Sequence, residues 1–179
     1  MHVEYTAGQV ALRREFRAYL ADLMTPEERE EMRQSREGGE LYRTVIRRMG
    51  EAGWLTPGWP LEYGGRALDP LAQKILMEEL WLAETPFPFV TVNTVGPALI
   101  RRGTEEQKRE FLPRIARGEI TFAVGYTEPT AGSDLASLKT RAVRDGDHYV
   151  INGQKIFTSG AQSADYVWLA ARTDPNAPL

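Results

Sequence analysis

The chain contains no cysteine, which removes disulfide bonds and thiolate metal ligands from consideration. Its two histidines, His2 and His148, lie far apart in the sequence and lack the spacing of metal ligands, so no metal site is expected. No apolar run approaches the roughly 18 residues that a membrane-spanning helix needs. The N-terminal letters M-H-V-E-Y-T also lack the basic and apolar regions of a signal peptide. These absences predict a cytoplasmic protein without a membrane partner.

Neither sign of charge dominates the sequence. The 22 basic residues are interspersed with 25 acidic ones, for a net charge of −3, which predicts a solvated surface and no nucleic-acid partner. A G-x-G-x-x-G dinucleotide fingerprint and a G-x-S-x-G nucleophile elbow are both missing. The composition, 42% hydrophobic and 26% charged over 179 residues, is typical of a globular protein with one good core or two small ones.

The N-terminal part of the chain carries apolar residues at steps of three and four, which predicts amphipathic helices. Helix starts are indicated by Thr25-Pro26 with Glu28, by Asp69-Pro70, and by Thr104 with Gln107. Charged residues up to Glu37 read as a solvated helix face, and the pair Glu78-Glu79 carries no predicted chemistry. The residues expected on the buried helix faces are Leu12, Phe16, Tyr19, Leu20, Leu23, Leu41, Val45, Met49, Leu71, Ile75, Leu80, Phe111, Leu112 and Ile115.

Two further features belong to this helical part. The glycine- and proline-rich stretch from Gly53 to Gly65 predicts a loop, and its aromatic side chains are expected to pack on the helices. The mostly apolar stretch from Thr91 to Arg102 predicts a helix that is buried or walls a cavity, with a kink or an early start at Gly96-Pro97.

From Glu119 onward the period changes from helical to alternating, so a domain boundary is expected near Gly118. The alternation predicts a β meander, with hairpin turns at Asp145-Gly146 and Asn152-Gly153. The fold class expected is therefore α+β, with an all-helical N-terminal domain (1–118) followed by an antiparallel β domain (119–179). The predicted strands are 120–124, 138–144, 149–151, 155–159 and 166–171.

Two segments of the β part carry polar groups suited to a ligand. In Y-T-E-P-T-A-G-S-D, from Tyr126 to Asp134, hydroxyl side chains flank small residues that let a ligand approach the backbone. In G-Q-K-I-F-T-S-G, from Gly153 to Gly160, an aromatic ring precedes two more hydroxyls. By the residues alone, a heterocycle or phosphate site competes with a turn whose hydroxyls satisfy their own backbone.

The motifs taken together resemble the acyl-CoA dehydrogenase family. Y-T-E-P-T-A-G-S-D-L-A followed by I-N-G-Q-K-I-F-T-S-G-A looks like that family's flavin-binding signature. G-W-L-T-P-G-W-P-L-E-Y-G-G, G-P-A-L-I-R-R-G-T-E-E-Q-K and F-L-P-R-I-A-R-G-E resemble its helical domain, in the family's order. The stretch from Val90 to Arg102 and the style of the motifs resemble actinobacterial-type dehydrogenases that act on bulky sterol side-chain thioesters.

The resemblance implies three domains, of which the C-terminal helical bundle is missing from this sequence, and FAD bound between the last two. By position, Tyr126 and Thr127 would meet the pyrimidine end of the flavin. Ser133 would lie near the diphosphate of FAD or the pantetheine of the substrate. The residues that would border the ring around its central nitrogen are Phe157, Thr158 and Ser159.

The implied reaction is oxidation of an acyl-CoA thioester to a trans-2-enoyl-CoA in lipid or steroid degradation. An electron-transfer flavoprotein or similar acceptor and a homo- or hetero-tetramer are implied partners. The sequence departs from the family at Thr130, where a glycine is usual, and at Phe157, where a tryptophan is usual. The family's catalytic carboxylate belongs to the C-terminal domain, so no catalytic base is assigned, and Glu128 is interpreted as a structural member of its turn.

Two alternatives stay open from the sequence. The chain could be the non-catalytic flavin-site partner of a heteromeric dehydrogenase, since no base is assigned to it. It could instead be an acyl-CoA oxidase or flavin monooxygenase on the same fold, in which case oxygen would be consumed with substrate. The open edges of the predicted strands lead to the further expectation that the chain is the front portion of a larger protein or needs another chain.

Overall fold

The structure is a computed structural model that describes residues 4–34 and 38–174. The chain divides into two compact units, Met1–Thr121 and Phe122–Leu179. The first is helical and the second holds the strands, which confirms the predicted α+β class. Among the described residues, none of the helices is long and apolar enough to cross a membrane.

The described residues of the first unit form six α-helices, whose order follows the periodicity of the sequence. A short 3₁₀ turn, Leu61–Tyr63, interrupts the predicted loop at 53–65, and a π-helical turn, Thr91–Val95, runs directly into the next α-helix. The helices are α1 Ala7–Leu23, α2 Pro26–Gln34, α3 Glu40–Glu51, α4 Pro70–Leu82, α5 Gly96–Arg102 and α6 Glu105–Ala116.

The helix starts lie where the capping residues predicted them. Thr25 and Glu28 exchange backbone-to-side-chain hydrogen bonds of 2.9 and 3.2 Å, and Thr104 and Gln107 form an equivalent capping box. The Asp69 side chain accepts a hydrogen bond of 2.9 Å from the amide of Ala72 at the start of α4. Each pair satisfies amides that the first helical turn leaves without a partner. The end of the charged run, 35–37, lies outside the described residues.

The core of the helical unit lies between α1, α3, α4 and α6. Most of the predicted apolar faces are confirmed, while Leu71 is exposed and Leu12, Tyr19, Leu41 and Phe111 are only partly buried. Both tryptophans of the predicted loop are buried, as expected: Trp54 packs on the ring of Phe16 at 4.8 Å between centroids. The largest fully buried side chains are Phe16, Leu20, Ile46, Met49, Leu55, Ile75, Leu76, Leu112 and Ile115.

An ion-pair cluster joins α1 to α4. The carboxylate of Glu79 is almost fully buried and receives two hydrogen bonds from the Arg17 guanidinium, at 2.7 and 2.9 Å. Arg13 lies 3.2 Å from the same carboxylate and donates to Glu78 at 2.7 Å. The cluster is structural, in agreement with the interpretation of the Glu78-Glu79 pair.

The predicted kink at Gly96-Pro97 takes the form of a change from π- to α-helical geometry. The cause lies in a neighbouring side chain as well as in the proline. The indole of Trp59 occupies the space that a Cβ at Gly96 would need, and its Nε1 donates to the carbonyl of Val92 at 3.1 Å. The glycine therefore permits close packing of the loop on this helix.

In the second unit, the residues that the structure describes form four strands in two separate pairs. The strands are β1 Phe122–Gly125, β2 Arg141–Asp145, β3 His148–Asn152 and β4 Tyr166–Leu169. The hairpin of β2 and β3 is antiparallel, with a two-residue Gly146-Asp147 connection in which Gly146 takes φ 64°. β1 and β4 pair in parallel, with Phe122 opposite Tyr166.

These pairings correct two details of the prediction. The expected meander of sequential antiparallel strands is replaced by the β1–β4 pair, because the long intervening segment returns the chain to the same end of β1, as parallel pairing requires. Residues 153–160 form no strand and Asn152-Gly153 no hairpin. The backbone at Phe157 takes the left-handed conformation, with φ 56°, which is incompatible with a continuing strand.

Candidate functional site

The Y-T-E-P-T-A-G-S-D segment forms a closed turn directly after β1. The amide of Glu128 donates to the carbonyl of Ala131 at 2.8 Å, and the amide of Ala131 donates back at 3.2 Å. Pro129 and Thr130 occupy the two central positions of this turn and are exposed. Proline fits there because its fixed φ suits the first central position of a tight turn and its missing N–H is not needed.

The buried side chain of Glu128 stabilises the turn. Its carboxylate is buried and accepts four hydrogen bonds, one of them from Lys155 Nζ at 2.9 Å. Thr140 supplies two more through its amide and its hydroxyl, at 2.8 and 2.6 Å, and the amide of Lys139 supplies the fourth at 2.6 Å. The carboxylate oxygens are therefore fully engaged.

The proton affinity of Glu128 follows from these contacts. Burial by itself raises the pKa of the carboxyl, but hydrogen bonds from Thr140, Lys155 and Lys139 favour the ionised form and lower the pKa to about 2. A carboxylate that is ionised and saturated with donors is a poor proton acceptor near neutral pH. The interpretation of Glu128 as a structural member of the turn is confirmed.

Lys155 connects the two predicted ligand segments. Its ammonium donates to the carbonyl of Tyr126 at 3.0 Å as well as to Glu128. One residue later, the amide of Ile156 donates to the carbonyl of Thr127 at 2.9 Å. The Tyr126–Thr127 stretch and the residues that lead into Phe157 therefore run side by side.

Tyr126 and Thr127 differ in what they offer to a ligand. The Tyr126 hydroxyl accepts a hydrogen bond of 3.0 Å from the indole Nε1 of Trp168 on β4 and is only partly exposed. The Thr127 hydroxyl and amide have no hydrogen-bond partner among the residues that the structure describes. Thr127 is thus the better donor of the two.

Phe157, Thr158 and Ser159 form a tight, non-strand segment. The Phe157 ring is 84% exposed, and its backbone adopts a left-handed conformation that is rare for an aromatic residue. The amide of Ser159 bonds the carbonyl of Phe157 at 2.9 Å, and that of Ala161 bonds the carbonyl of Thr158 at 3.2 Å. Within the described part of the chain, the side-chain hydroxyls of Thr158 and Ser159 are unpaired. Such a strained, exposed aromatic residue is typical of a functional segment.

Ser133 follows the turn and is exposed. A Cβ at the neighbouring Gly132 would meet nothing within 4 Å, so the surface here is open. No described contact joins Ser133 to Thr127 or to the 157–159 segment. The structure thus brings Tyr126 and Thr127 beside the residues that lead into the 157–159 segment, and no described hydrogen bond joins Ser133 to them.

The sequence did not reveal the residues that organise the site from within. Lys155, Thr140 and Trp168 each contact the turn or its flank, although they lie far along the chain. Arg172 adds hydrogen bonds to the carbonyls of Leu138 and Ala136, at 2.9 and 2.6 Å. A lone lysine inside an otherwise apolar and hydroxyl-bearing segment was the one available signal for Lys155, because such a side chain needs a buried partner.

Comparison with known proteins accounts for both units. The family model of the acyl-CoA dehydrogenase N-terminal domain matches residues 6–119, and the model of the acyl-CoA dehydrogenase middle domain matches residues 123–178. The chain belongs to the acyl-CoA dehydrogenase family. The resemblance to this family inferred from the motifs is therefore confirmed.

The similar proteins include acyl-CoA dehydrogenases FadE29 and FadE26 of Mycobacterium tuberculosis, at 55% and 54% identity over 99% of this chain and 46% and 45% of theirs. The ChsE4-ChsE5 complex from Mycobacterium tuberculosis matches with TM-score 0.91 and 54% identity, over 98% of this chain and 45% of that one. A structure described as a Tcur3481-Tcur3483 steroid ACAD matches with TM-score 0.91 and 56% identity, over 99% and 46%. This acyl-CoA dehydrogenase chain spans about half the length of these relatives.

Proposed function

We propose that this acyl-CoA dehydrogenase chain forms part of an enzyme that oxidises an acyl-CoA thioester to a trans-2-enoyl-CoA with FAD. The observation that carries the proposal is the hydrogen bond of 2.9 Å from the Ile156 amide to the Thr127 carbonyl, which sets the two halves of the flavin-binding signature side by side. In this proposal residues 1–118 are the helical domain and residues 119–179 belong to the flavin-binding middle domain.

The chemistry of the donor set fits FAD. A flavin presents carbonyl oxygens and ring nitrogens along one edge and a planar face that stacks on aromatic rings. The Thr127 amide and hydroxyl and the hydroxyls of Thr158 and Ser159 have no internal partner in the described residues, so they are available as donors. The exposed ring of Phe157 offers a stacking face.

In such an enzyme, FAD supplies a hydride acceptor for the substrate β-carbon. Thr127 would hold the pyrimidine end of the ring through its hydroxyl and amide, and donors there stabilise negative charge after reduction. Thr158 and Ser159 would hold the edge around the central nitrogen, with Phe157 beside them. Ser133, which is exposed, would contact the diphosphate or the pantetheine.

Removal of the substrate α-proton is assigned to no residue of this chain. Glu128, the carboxylate within the signature, is buried under four hydrogen bonds and has its pKa lowered to about 2. Such a buried, hydrogen-bonded carboxylate is a poor proton acceptor near neutral pH.

The acyl group proposed for the substrate is bulky or steroid-linked. Support comes from the matched structure described as a steroid ACAD, at 56% identity over nearly the whole chain. A lower-identity relative, isovaleryl-CoA dehydrogenase of Bos taurus, is only 33% identical over 176 residues. The identity gap favours the steroid-type substrate over a short branched acyl chain.

A second proposal is assembly with a different subunit, in a hetero-tetramer that passes electrons to an electron-transferring flavoprotein or similar acceptor. Two matched structures, ChsE4-ChsE5 and Tcur3481-Tcur3483, each pair two differently named proteins. An electron-transferring flavoprotein structure of Acidaminococcus fermentans also matches, at 33% identity and TM-score 0.74. In a heteromer, this chain would complete the flavin site without supplying the base.

The test is an anaerobic visible spectrum of the protein, purified together with any subunit that accompanies it, before and after addition of a steroid side-chain acyl-CoA. A flavin absorption that bleaches supports the dehydrogenase, and oxygen uptake on admitting air would favour an oxidase instead. The variant Thr127→Val should weaken FAD retention, while the control Thr130→Val, at the exposed tip of the same turn, should not. Protein that binds no FAD even with its partner present would overturn the proposal.

A further inference from the structure

A buried ion pair crosses between the two segments of the β unit that carry the proposed flavin contacts. The side chains of Lys155 and Glu128 are only 10% and 4% exposed, and their charged atoms lie 2.9 Å apart. The ion pairs Arg13–Glu78, Arg13–Glu79, Arg17–Glu79, Arg48–Glu28 and Lys108–Glu105 each have at least one partner with a side chain more than a quarter exposed. Lys155 and Glu128 differ from these five pairs in having both ends shielded from water.

The burial of this pair is not explained by stability alone. Removing two charges from water is costly, and a well-packed apolar pair of similar volume often stabilises a fold equally well or better. What an ion pair with saturated hydrogen bonds adds is a defined geometry, because each bond restricts direction as well as distance. The Glu128 carboxylate with its four donors meets this condition.

The contacts of Lys155 show which geometry is defined. Its ammonium donates hydrogen bonds to the Glu128 carboxylate and the Tyr126 carbonyl, at 2.9 and 3.0 Å. Lys155 therefore contacts the Tyr126–Asp134 segment on either side of Thr127. The next amide along the chain, that of Ile156, holds the Thr127 carbonyl itself. After Ile156 the backbone turns into the left-handed conformation of Phe157.

From this geometry we infer that Glu128 and Lys155 are positioning residues, which set the register between Thr127 and the Phe157–Ser159 segment through the Lys155 bridge to Tyr126 and Glu128. Neither residue touches the cofactor in this account. Their effect is transmitted through the Thr127–Ile156 hydrogen bond. The inference rests on the proposed function only in taking these segments to carry flavin contacts.

The first readout needs no cofactor. Amide hydrogen exchange of Ile156, measured in the FAD-free protein, reports the hydrogen bond to Thr127 directly. In Lys155→Met, which keeps the length of the side chain and removes its charge, exchange at Ile156 should accelerate at least tenfold. Amides of α1 to α6 should keep their wild-type rates.

A matched control is available in the helical unit. Lys108 also donates to a glutamate, Glu105, at 2.9 Å, and its own side chain is 16% exposed, but Glu105 is 72% exposed. Lys108→Met should leave exchange at Ile156 unchanged. An equal acceleration in both variants would overturn the inference, because the effect would then come from loss of a lysine in general.

The second readout is FAD affinity of the assembled protein, measured by flavin fluorescence. Lys155→Met and Glu128→Gln should each weaken binding about tenfold, and Lys155→Arg should restore most of it because the charge is kept. Faster exchange at Ile156 with unchanged FAD affinity would overturn the positioning role. If the wild-type protein has no FAD affinity, the proposed function is overturned. The exchange experiment would still decide whether Glu128 and Lys155 set the register between Thr127 and the Phe157–Ser159 segment.

A variant that unfolds is also informative. If both Lys155→Met and Lys155→Arg lose protection throughout 122–174, the pair holds the whole unit together, and its specific role in register is overturned. Loss of protection confined to the two segments in Lys155→Met, with recovery in Lys155→Arg, supports the inference.

Discussion

The indole Nε1 of Trp59 donates to the carbonyl oxygen of Val92 at 3.1 Å, which fastens the loop after α3 to the π-helical turn before α5. A π-helical turn leaves carbonyls displaced from the regular helical ladder, and such turns are common at functional sites. The Trp59 indole therefore gives the Val92 carbonyl a hydrogen-bond donor from outside the helix. The packing that allows this contact leads to the first prediction.

Gly96→Ala should destabilise the helical unit by about 1–3 kcal/mol, because the added Cβ overlaps the Trp59 indole in a packed core. The measurement is urea unfolding followed by tryptophan fluorescence. Gly8→Ala is the control, since its Cβ would meet only the Thr6 hydroxyl at 4.0 Å near the start of α1, and it should be neutral or slightly stabilising. Equal stability of the two variants would show that the indole can move away.

A second prediction concerns neighbouring glutamates on α4. Glu79→Gln should cost about 1–2 kcal/mol of unfolding free energy, since the buried carboxylate loses its charge-assisted bonds to Arg17. Glu78→Gln should cost less, because Glu78 is partly exposed and its partners Arg13 and Lys74 are partly exposed as well. Thermal unfolding of both variants in the same buffer checks the order, and a larger loss in Glu78→Gln would contradict it.

Local features of this fold were predictable from the sequence, and contacts between distant residues were not. Thr104 and Gln107 lie three positions apart, so their capping box can be read directly from the chain. Glu128 contacts Thr140 and Lys155, which are 12 and 27 residues away, and no period in the sequence records such a contact. The prediction of a strand at 155–159 was wrong for the same reason, because the contacts of this segment with distant residues leave no period in the sequence.

The wrong strand prediction at 155–159 shows most clearly in one backbone angle, the φ of Phe157. Alternation around Ile156 favours a strand, but the next residue, Phe157, adopts φ 56°, a conformation that aromatic residues rarely take. Propensity cannot anticipate it, because the neighbouring Lys155 and Ile156 bond to Tyr126 and Thr127, which lie far away along the chain. The aromatic and hydroxyl residues of the candidate site were predicted from a likeness to known motifs, which, unlike periodicity, includes such irregular segments.

The third prediction is a dependence of stability on pH. The folded-state pKa of Glu128 is lowered to about 2 from an ordinary value of 4.5, so its contribution to stability is fully present above about 4.5. This contribution is lost as the pH falls from about 4.5 towards about 2, because the Glu128 carboxyl becomes protonated first in the unfolded state and then in the folded state as well. The unfolding free energy of wild type should therefore exceed that of Glu128→Gln at pH 6, with the difference shrinking on acidification. A difference that stays constant from pH 6 to pH 2 would contradict the lowered pKa.

The last prediction separates the backbone of Phe157 from its ring. A non-glycine residue in the left-handed region costs about 1–2 kcal/mol, of which glycine recovers part after its larger unfolded-state entropy is counted. Phe157→Gly should thus raise the unfolding free energy of the FAD-free protein by about 0.5–1 kcal/mol, since the 84% exposed ring contributes little burial.

Flavin binding should move in the opposite direction. If the ring stacks on the isoalloxazine, its removal costs about 0.5–1.5 kcal/mol, which is roughly a three- to tenfold weaker FAD affinity. Phe157→Ala is the matched control: it removes the ring and keeps the Cβ, so it should weaken FAD binding equally without the gain in stability. A Gly variant no more stable than the Ala variant would show that the backbone conformation carries no strain. Wild-type FAD affinity in both would show that the exposed ring serves another contact.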